Sequence, residues 1–177
     1  MDFMLAKTYD GRDPAGWMLA EKLDGFRARW TGAELVSRNG NTFHAPQWFL
    51  AQLPPTPLDG ELYAGRGRLG TVAATVRRTT PIDADWQGIR FMVFDAPEAA
   101  GGFEDRLVAA RAALHGSAVA QVVDHRPCAG RNDLDRTFDA IVGAGGEGLM
   151  LRRSGSAYEG KRTDALLKVK TLSIGRP

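Results

Sequence analysis

The chain carries five lysines against 18 arginines, and that imbalance makes the position of each lysine informative. Arginine stays protonated in proteins, whereas lysine becomes a nucleophile once its amine is neutral. Lys22 lies in the run Glu21-Lys22-Leu23-Asp24-Gly25-Phe26-Arg27, between a short apolar strand-like stretch and a glycine turn. A lysine at the end of a strand is held rigidly, and cations close by favour the neutral amine that attack requires. Taken alone, the K-x-D-G pattern more often marks a surface lysine in a loop.

Four later segments carry groups that suit such a nucleophile. Leu58-Asp59-Gly60-Glu61-Leu62 places a carboxylate in a strand just after a glycine. Phe91-Met92-Val93-Phe94-Asp95 ends an apolar strand with an aromatic ring and an acid. Glu147 opens a strand running to Arg152. In Leu166-Leu167-Lys168-Val169-Lys170 the two lysines alternate, so both face the same side of a strand. Two ammonium groups on one face repel each other, and an anion such as phosphate is the natural partner. Phe94 by itself reads equally well as core or as a stacking ring.

The elements that must position these residues follow from periodicity. Trp17–Glu21, Leu58–Ala64, Arg90–Asp95, Val119–Val123, Glu147–Arg152 and Leu166–Lys170 read as strands. Phe26–Trp30 and Glu34–Arg38 flank Thr31-Gly32 as a β-hairpin. Pro46–Leu53 reads as a short helix with proline in its first turn, and Pro54-Pro55-Thr56-Pro57 as a loop. Phe103, Leu107, Ala110 and Leu114 follow helical spacing, as do Leu134, Phe138, Ile141 and Val142. The latter helix has Asn132 or Asp133 as its N-cap and Gly143, Gly145 and Gly146 at its end. Strands outnumber helices without regular alternation, which predicts an α+β fold with largely antiparallel sheets.

Composition bounds the rest. The 177 residues are 44% hydrophobic and 25% charged, as expected of one globular domain. No apolar run is long enough to cross a membrane as a helix, and the N-terminus lacks a signal-peptide layout. The expected compartment of the chain as written is the cytoplasm, or the periplasm if a leader has been removed. The single Cys128 excludes an internal disulfide and a multi-cysteine zinc site. The formal charge is only +2, but residues 91–151 carry a net −4 and residues 152–177 a net +5, a bias that attracts polyanions. Gly65-Arg66-Gly67-Arg68-Leu69-Gly70 matches G-x-G-x-x-G. The surrounding pattern is not βαβ, so a dinucleotide fingerprint is rejected. Arg66, Arg68, Arg77 and Arg78 instead suit contacts to a phosphate backbone. His44, His115 and His125 join no constellation.

Taken in order, Lys22/Asp24/Gly25/Arg27, Ser37-Arg38-Asn39-Gly40, Asp59-Gly60-Glu61, Phe94-Asp95, Glu147-Gly148 and Lys168/Lys170 resemble the motifs of the covalent nucleotidyltransferases. These are the ATP-dependent DNA ligases, RNA ligases and mRNA capping enzymes. The runs EKLDGFRARW, SRNGN, PLDGELYAGRGR, FMVFDAP and EGLMLRR are most similar to the adenylation domain of minimal bacterial and phage-type ATP-dependent DNA ligases. The resemblance runs from about Met4 to Lys170. It implies a nucleotidyltransferase (ATP-grasp-like) domain of two largely antiparallel sheets flanked by helices, formed by residues 1–177.

The resemblance also implies roles. Lys22 attacks the α-phosphorus of ATP and becomes lysyl-AMP, and the AMP then passes to the 5′-phosphate of a DNA nick. Arg27, Lys168 and Lys170 surround the phosphate with positive charge. Glu61 and Glu147 serve the ribose and a divalent metal, Mg²⁺ or Mn²⁺. Phe94 stacks on adenine and Glu21 flanks the base. Arg38 reaches the nucleotide phosphates or the nick, and nicked duplex DNA is the expected partner of a monomer. Relatives in this family continue into an OB-fold domain. Only Thr171–Pro177 follow the last motif here, too few for a five-stranded barrel, so full ligation by this chain alone is in question. An RNA ligase or capping-type transferase, or a non-catalytic nucleotide- or DNA-binding module, are the alternatives.

Overall fold

The structure, a computed structural model, describes residues 2–171. Arg176 of the basic C-terminal segment, and the tail from residue 172 on, lie outside the described residues. The chain divides into two compact units, each with its own sheet and hydrophobic cluster. Of the described residues, one comprises 2–23, 101–104 and 124–171, and the other 24–100 and 105–123.

The first unit contains a five-stranded sheet. Its strands are β1 (Leu5–Thr8), β2 (Met18–Glu21), β9 (Arg126–Pro127), β10 (Leu149–Arg152) and β11 (Arg162–Val169), in the order β1-β11-β10-β2-β9. Only the β1–β11 pairing is parallel. Along β11 the side chains alternate: Thr163, Ala165, Leu167 and Val169 are buried, while Leu166 and Lys168 are half-buried on the other face. Helix α5 (Arg131–Gly143) covers the apolar side. Its stripe of Leu134, Phe138 and Ile141 packs with Leu19, Leu149, Leu151, Leu167 and Val169. Burial of each large side chain contributes about 1.5–3 kcal/mol. Cys128 is a buried member of this cluster.

The second unit contains a six-stranded sheet: β3 (Phe26–Trp30), β4 (Leu35–Ser37), β5 (Thr42–Phe43), β6 (Leu58–Tyr63), β7 (Arg90–Asp95) and β8 (Ala120–Val122). The order is β5-β4-β3-β6-β7-β8. Every pairing but β7–β8 is antiparallel. One face carries Ala28, Trp30, Leu58, Leu62, Phe91 and Val93 into a core with Phe49 and Trp86, whose rings meet edge-on at 4.9 Å. The short helices α1 (Gln47–Leu50), α2 (Leu69–Val76) and α3 (Asp83–Trp86) and most of α4 (Phe103–Ala113) belong to this unit. The expected α+β class with largely antiparallel sheets is borne out.

Several local expectations shift. The N-cap of α5 is Gly130, and neither Asn132 nor Asp133 takes that place. Asp133 lies in the first turn, where its carboxylate accepts from the Ala129 N–H and from the Arg126 guanidinium. These bonds hold the Asp133 carboxyl well below the usual range, the Arg126 bond contributing most. The proline-led helix is shorter than the spacing predicts, with Pro46 as its extended N-cap. Glu147 precedes β10 and does not open it. The G-x-G-x-x-G segment does run from a strand into a helix, but β6 and β7 pair antiparallel, so no βαβ unit follows and the dinucleotide reading stays rejected.

Candidate active site

In the first unit, β2 delivers Lys22. Glu21, its last residue, pairs with Leu149 of β10. The Lys22 N–H then donates to the carbonyl of Gly148 at 2.9 Å, so the backbone of the lysine is tied to the segment that carries Glu147. The Lys22 Nζ meets Glu147 Oε2 at 2.5 Å. The other carboxylate oxygen of Glu147 accepts from the Nζ of Lys170. Glu147 therefore bridges two lysines that are 148 residues apart in sequence. Burial pushes its carboxyl upward, but the hydrogen bonds from Lys170 and Lys22 outweigh that and hold it below the ordinary glutamate range.

Glycine is required next to this carboxylate. Gly148 has φ of 144°, and a Cβ there would lie 2.2 Å from the carbonyl oxygen of Val169. That contact brings the start of β10 against the end of β11, beside Lys170. Lys168 is half-buried on β11, which ends at Val169, one residue short of the expected Lys170, and Lys168 pairs with no acidic side chain among the described residues. Glu21 is half-buried, with its carboxylate next to Gly146.

In the second unit, one sheet face collects the polar residues. Arg27 and Glu61 are directly opposite on β3 and β6. The Arg27 guanidinium reaches diagonally to the wholly buried Asp59, with Nε–Oδ1 and Nη2–Oδ2 both at 2.7 Å. The same guanidinium lies over the ring of Phe94 at 4.5 Å, within cation–π range. Sequence reasoning cast Arg27 as a phosphate ligand and gave Asp59 no role. The structure commits Arg27 to an acid and an aromatic ring of its own unit. The signal for Asp59 was present, since Asp59 and Glu61 share a strand face with Arg27.

The remaining arginines differ in their surroundings. Arg38 is exposed in the turn after β4, and Arg66 and Arg68 are exposed before α2. Arg77 caps the end of α2 and lies over the Phe26 ring at 5.5 Å. Arg78 pairs with Asp85 at 3.5 Å.

No group of three His, Cys, Asp or Glu side chains among the described residues could hold a metal ion by itself. Mg²⁺ commonly binds through one or two carboxylates plus substrate phosphate and water. Glu147 in the first unit and Glu61 in the second each offer one carboxylate of the kind Mg²⁺ takes.

The first unit thus joins a lysine amine to a carboxylate and a second lysine, and the second sets the Arg27 guanidinium between Asp59 and the Phe94 ring. Comparison with known proteins supplies the family. The chain belongs to the ATP dependent DNA ligase domain family, whose profile it matches over residues 4–170. It is 32% identical to a DNA ligase of Haemophilus influenzae over 172 residues, covering 96% of this chain and 63% of that protein. The chain thus spans less than two thirds of this relative. Among solved structures, a Lig E DNA ligase from a study of DNA binding with a minimal scaffold superposes with a TM-score of 0.89 at 37% identity. That match covers 96% of this chain and 68% of the other. The Chlorella virus DNA ligase-adenylate shares the fold, with a TM-score of 0.74 at 17% identity over 97% of this chain and 67% of that one. No helix among the described residues is long and apolar enough to cross a membrane.

Proposed function

We propose that this chain is the adenylation domain of an ATP-dependent DNA ligase, residues 1–177 acting as one nucleotidyltransferase domain, and that Lys22 is its nucleophile. The observation that carries the reading is the Lys22–Glu147–Lys170 bridge. A lysine that only decorated a loop would have no reason to share one carboxylate with a second, distant lysine.

Three steps follow. The Lys22 ammonium leaves Glu147, releases one proton to solvent, attacks the α-phosphorus of ATP as the neutral amine, and loses a second proton to solvent as the phosphoramidate forms. A P–N bond forms, the bond to the bridging oxygen breaks, and pyrophosphate leaves with that electron pair. The AMP is then transferred to a 5′-phosphate at a DNA nick, freeing Lys22, and attack by the adjoining 3′-hydroxyl expels AMP and seals the strand.

Lys168 and Lys170 compensate charge growing on the phosphate oxygens, where preorganised cations have most effect. Glu61 holds the ribose, Phe94 stacks on adenine and Glu21 flanks the base. Glu61 and Glu147 would each offer a carboxylate to Mg²⁺ or Mn²⁺, which would supply electrophilic assistance to the phosphates when bound. Arg27 acts on the nucleotide by fixing the Phe94 ring as well as by its charge. Arg38, Arg66, Arg68, Arg77 and Arg78 contact duplex phosphates.

Incubation with Mg²⁺ and α-labelled ATP should transfer label to the protein. Label should be absent from Lys22→Ala, and nicked DNA should discharge it from the wild type. Equal labelling of the two proteins, or none of wild type, would overturn the assignment. Discharge by nicked RNA but not nicked DNA would redirect it to an RNA ligase.

A further inference from the structure

In the second unit, two carboxylates face each other across neighbouring strands. Asp59 of β6 and Asp95 of β7 are register partners, with 0% and 2% of their surface exposed. Like charges placed directly opposite each other destabilise a sheet, and a buried carboxylate needs a paired cation. Each has one. Arg27 holds Asp59 by two bonds of 2.7 Å. Arg106 of α4, itself 2% exposed, holds Asp95 through Nε–Oδ1 at 2.6 Å and Nη2–Oδ2 at 3.1 Å. Asp95 Oδ1 also accepts the Ala96 N–H at 2.9 Å.

Between these clamps the ladder slips. Asp59 pairs with Asp95, but Gly60 pairs with Val93, so Phe94 is the extra residue of a β-bulge. Bulges re-aim a side chain and interrupt the ladder that would otherwise restrain it. Gly60 fits the site because a Cβ there would lie 2.6 Å from the Met92 carbonyl oxygen and 2.7 Å from the Phe91 ring. The restraint on Phe94 must come from its neighbours, and the next residue in the chain is the clamped Asp95. A buried ion pair is a poor source of net stability compared with apolar packing, whereas a two-point guanidinium–carboxylate contact fixes geometry.

We propose that Arg106 is a positioning residue for the nucleotide base: through Asp95 it sets the bulge that presents Phe94. The proposal rests on the reading of Phe94 as the adenine-stacking ring. Arg106 touches no nucleotide. Its loss lets the Phe94 ring wander and weakens recognition of the base, leaving recognition of the phosphates intact.

The test measures the half-saturating ATP concentration and the maximal rate of lysyl-AMP formation. The proteins are wild type, Arg106→Lys, and the neutral pair Asp95→Asn with Arg106→Gln, each with and without Phe94→Ala. Inorganic tripolyphosphate, a competitor without a base, reads the phosphate contacts alone. Stacking of a base on an aromatic ring is worth about 5- to 150-fold in affinity. The Arg106 variants should therefore raise half-saturating ATP about 5- to 10-fold. The maximal rate and inhibition by tripolyphosphate should stay within about twofold, and the effect should vanish in the Phe94→Ala background. Unchanged half-saturation, a parallel loss of tripolyphosphate inhibition, or an equal effect without Phe94 overturns the proposal. So does a fall in the unfolding midpoint with no change in half-saturating ATP of the folded protein. If Arg106→Lys does not fold, the neutral pair, which leaves no buried charge unpaired, decides the matter. If Phe94→Ala itself leaves half-saturation unchanged, the stacking reading falls. If Phe94→Ala raises it and the Arg106 variants do not, only the positioning role falls.

Discussion

Lys22 and Glu147 meet at 2.5 Å, although 125 residues separate them in sequence. The contact defines a resting state in which the proposed nucleophile is occupied by an acid of its own unit. Attack on phosphorus requires that contact to open. In the proposed reaction Glu147 holds Lys22 beforehand and releases it for attack. Glu147→Gln keeps the shape and a hydrogen-bond acceptor but removes the charge that binds both lysines. Lysyl-AMP formation in Glu147→Gln should fall by about a hundredfold or more. Stability should change by only about 1 kcal/mol, because the pair remains partly exposed. Labelling rates and urea unfolding read the two effects separately.

The same bridge gives the fold a pH dependence. The Glu147 carboxyl lies below its ordinary value because the bonds from Lys170 and Lys22 outweigh the upward push of burial. A carboxyl depressed in the folded state contributes stability above its unfolded value, and that contribution is lost as pH falls through the folded value. As pH falls from the ordinary glutamate range toward the depressed folded value, wild-type stability should therefore fall more steeply than that of Glu147→Gln. Chemical denaturation at a series of pH values measures the difference. Parallel curves would mean that the lysines do not hold this carboxylate in solution.

Arg27 offers a different contrast. Arg27→Lys keeps the charge but loses the two-point grip on Asp59 and the flat surface over Phe94. Asp59 is wholly buried, so a poorer partner should cost about 2–4 kcal/mol of stability. Labelling should also need more ATP to saturate. If stability is unchanged while labelling slows, Arg27 acts mainly on the phosphate, as the sequence alone suggests.

Gly148 tests the backbone that carries Glu147. Its φ of 144° is strained for any other residue, and the Val169 carbonyl leaves no room for a Cβ. Gly148→Ala should cost roughly 2–4 kcal/mol. It should also abolish labelling, because Lys22 donates its N–H to the Gly148 carbonyl. Circular dichroism of the folded variant alongside labelling separates loss of fold from loss of the site.

Much of this site was readable before any coordinates. Lys168 lies on the half-buried face of β11 as alternation dictates, Glu61 lies on a strand in which Leu58, Gly60 and Leu62 alternate with Asp59 and Glu61, and Phe94 lies near the end of a strand legible from its continuous apolar run. What could not be read is which charges meet. Whether Lys22 finds Glu147 or a cation depends on strand order, and strand order is set by burial of distant apolar faces. The Asp59–Asp95 pairing depends on a one-residue slip at Phe94, and nothing in the local pattern marks a slip. Asp133 shows the same limit at smaller scale: its residue type suits an N-cap, but Arg126 and the Ala129 amide claim its carboxylate.

The exposed arginines give a prediction about nucleic acid. Arg38, Arg66, Arg68, Arg77 and Arg78 are all exposed, and of these Arg78 also pairs with Asp85 and Arg77 lies over the Phe26 ring. A contact to a duplex phosphate releases counterions, so each one adds to the dependence of affinity on salt. Replacing Arg38 or Arg68 by alanine should lower the slope of log affinity against log salt by about one each, and should weaken binding to all sequences alike. Arg78→Ala should have less effect, because leaving Asp85 to meet a phosphate offsets the gain. Titration of nicked duplex at several salt concentrations measures the slopes. Unchanged slopes for Arg38→Ala and Arg68→Ala would remove both arginines from the DNA-binding surface.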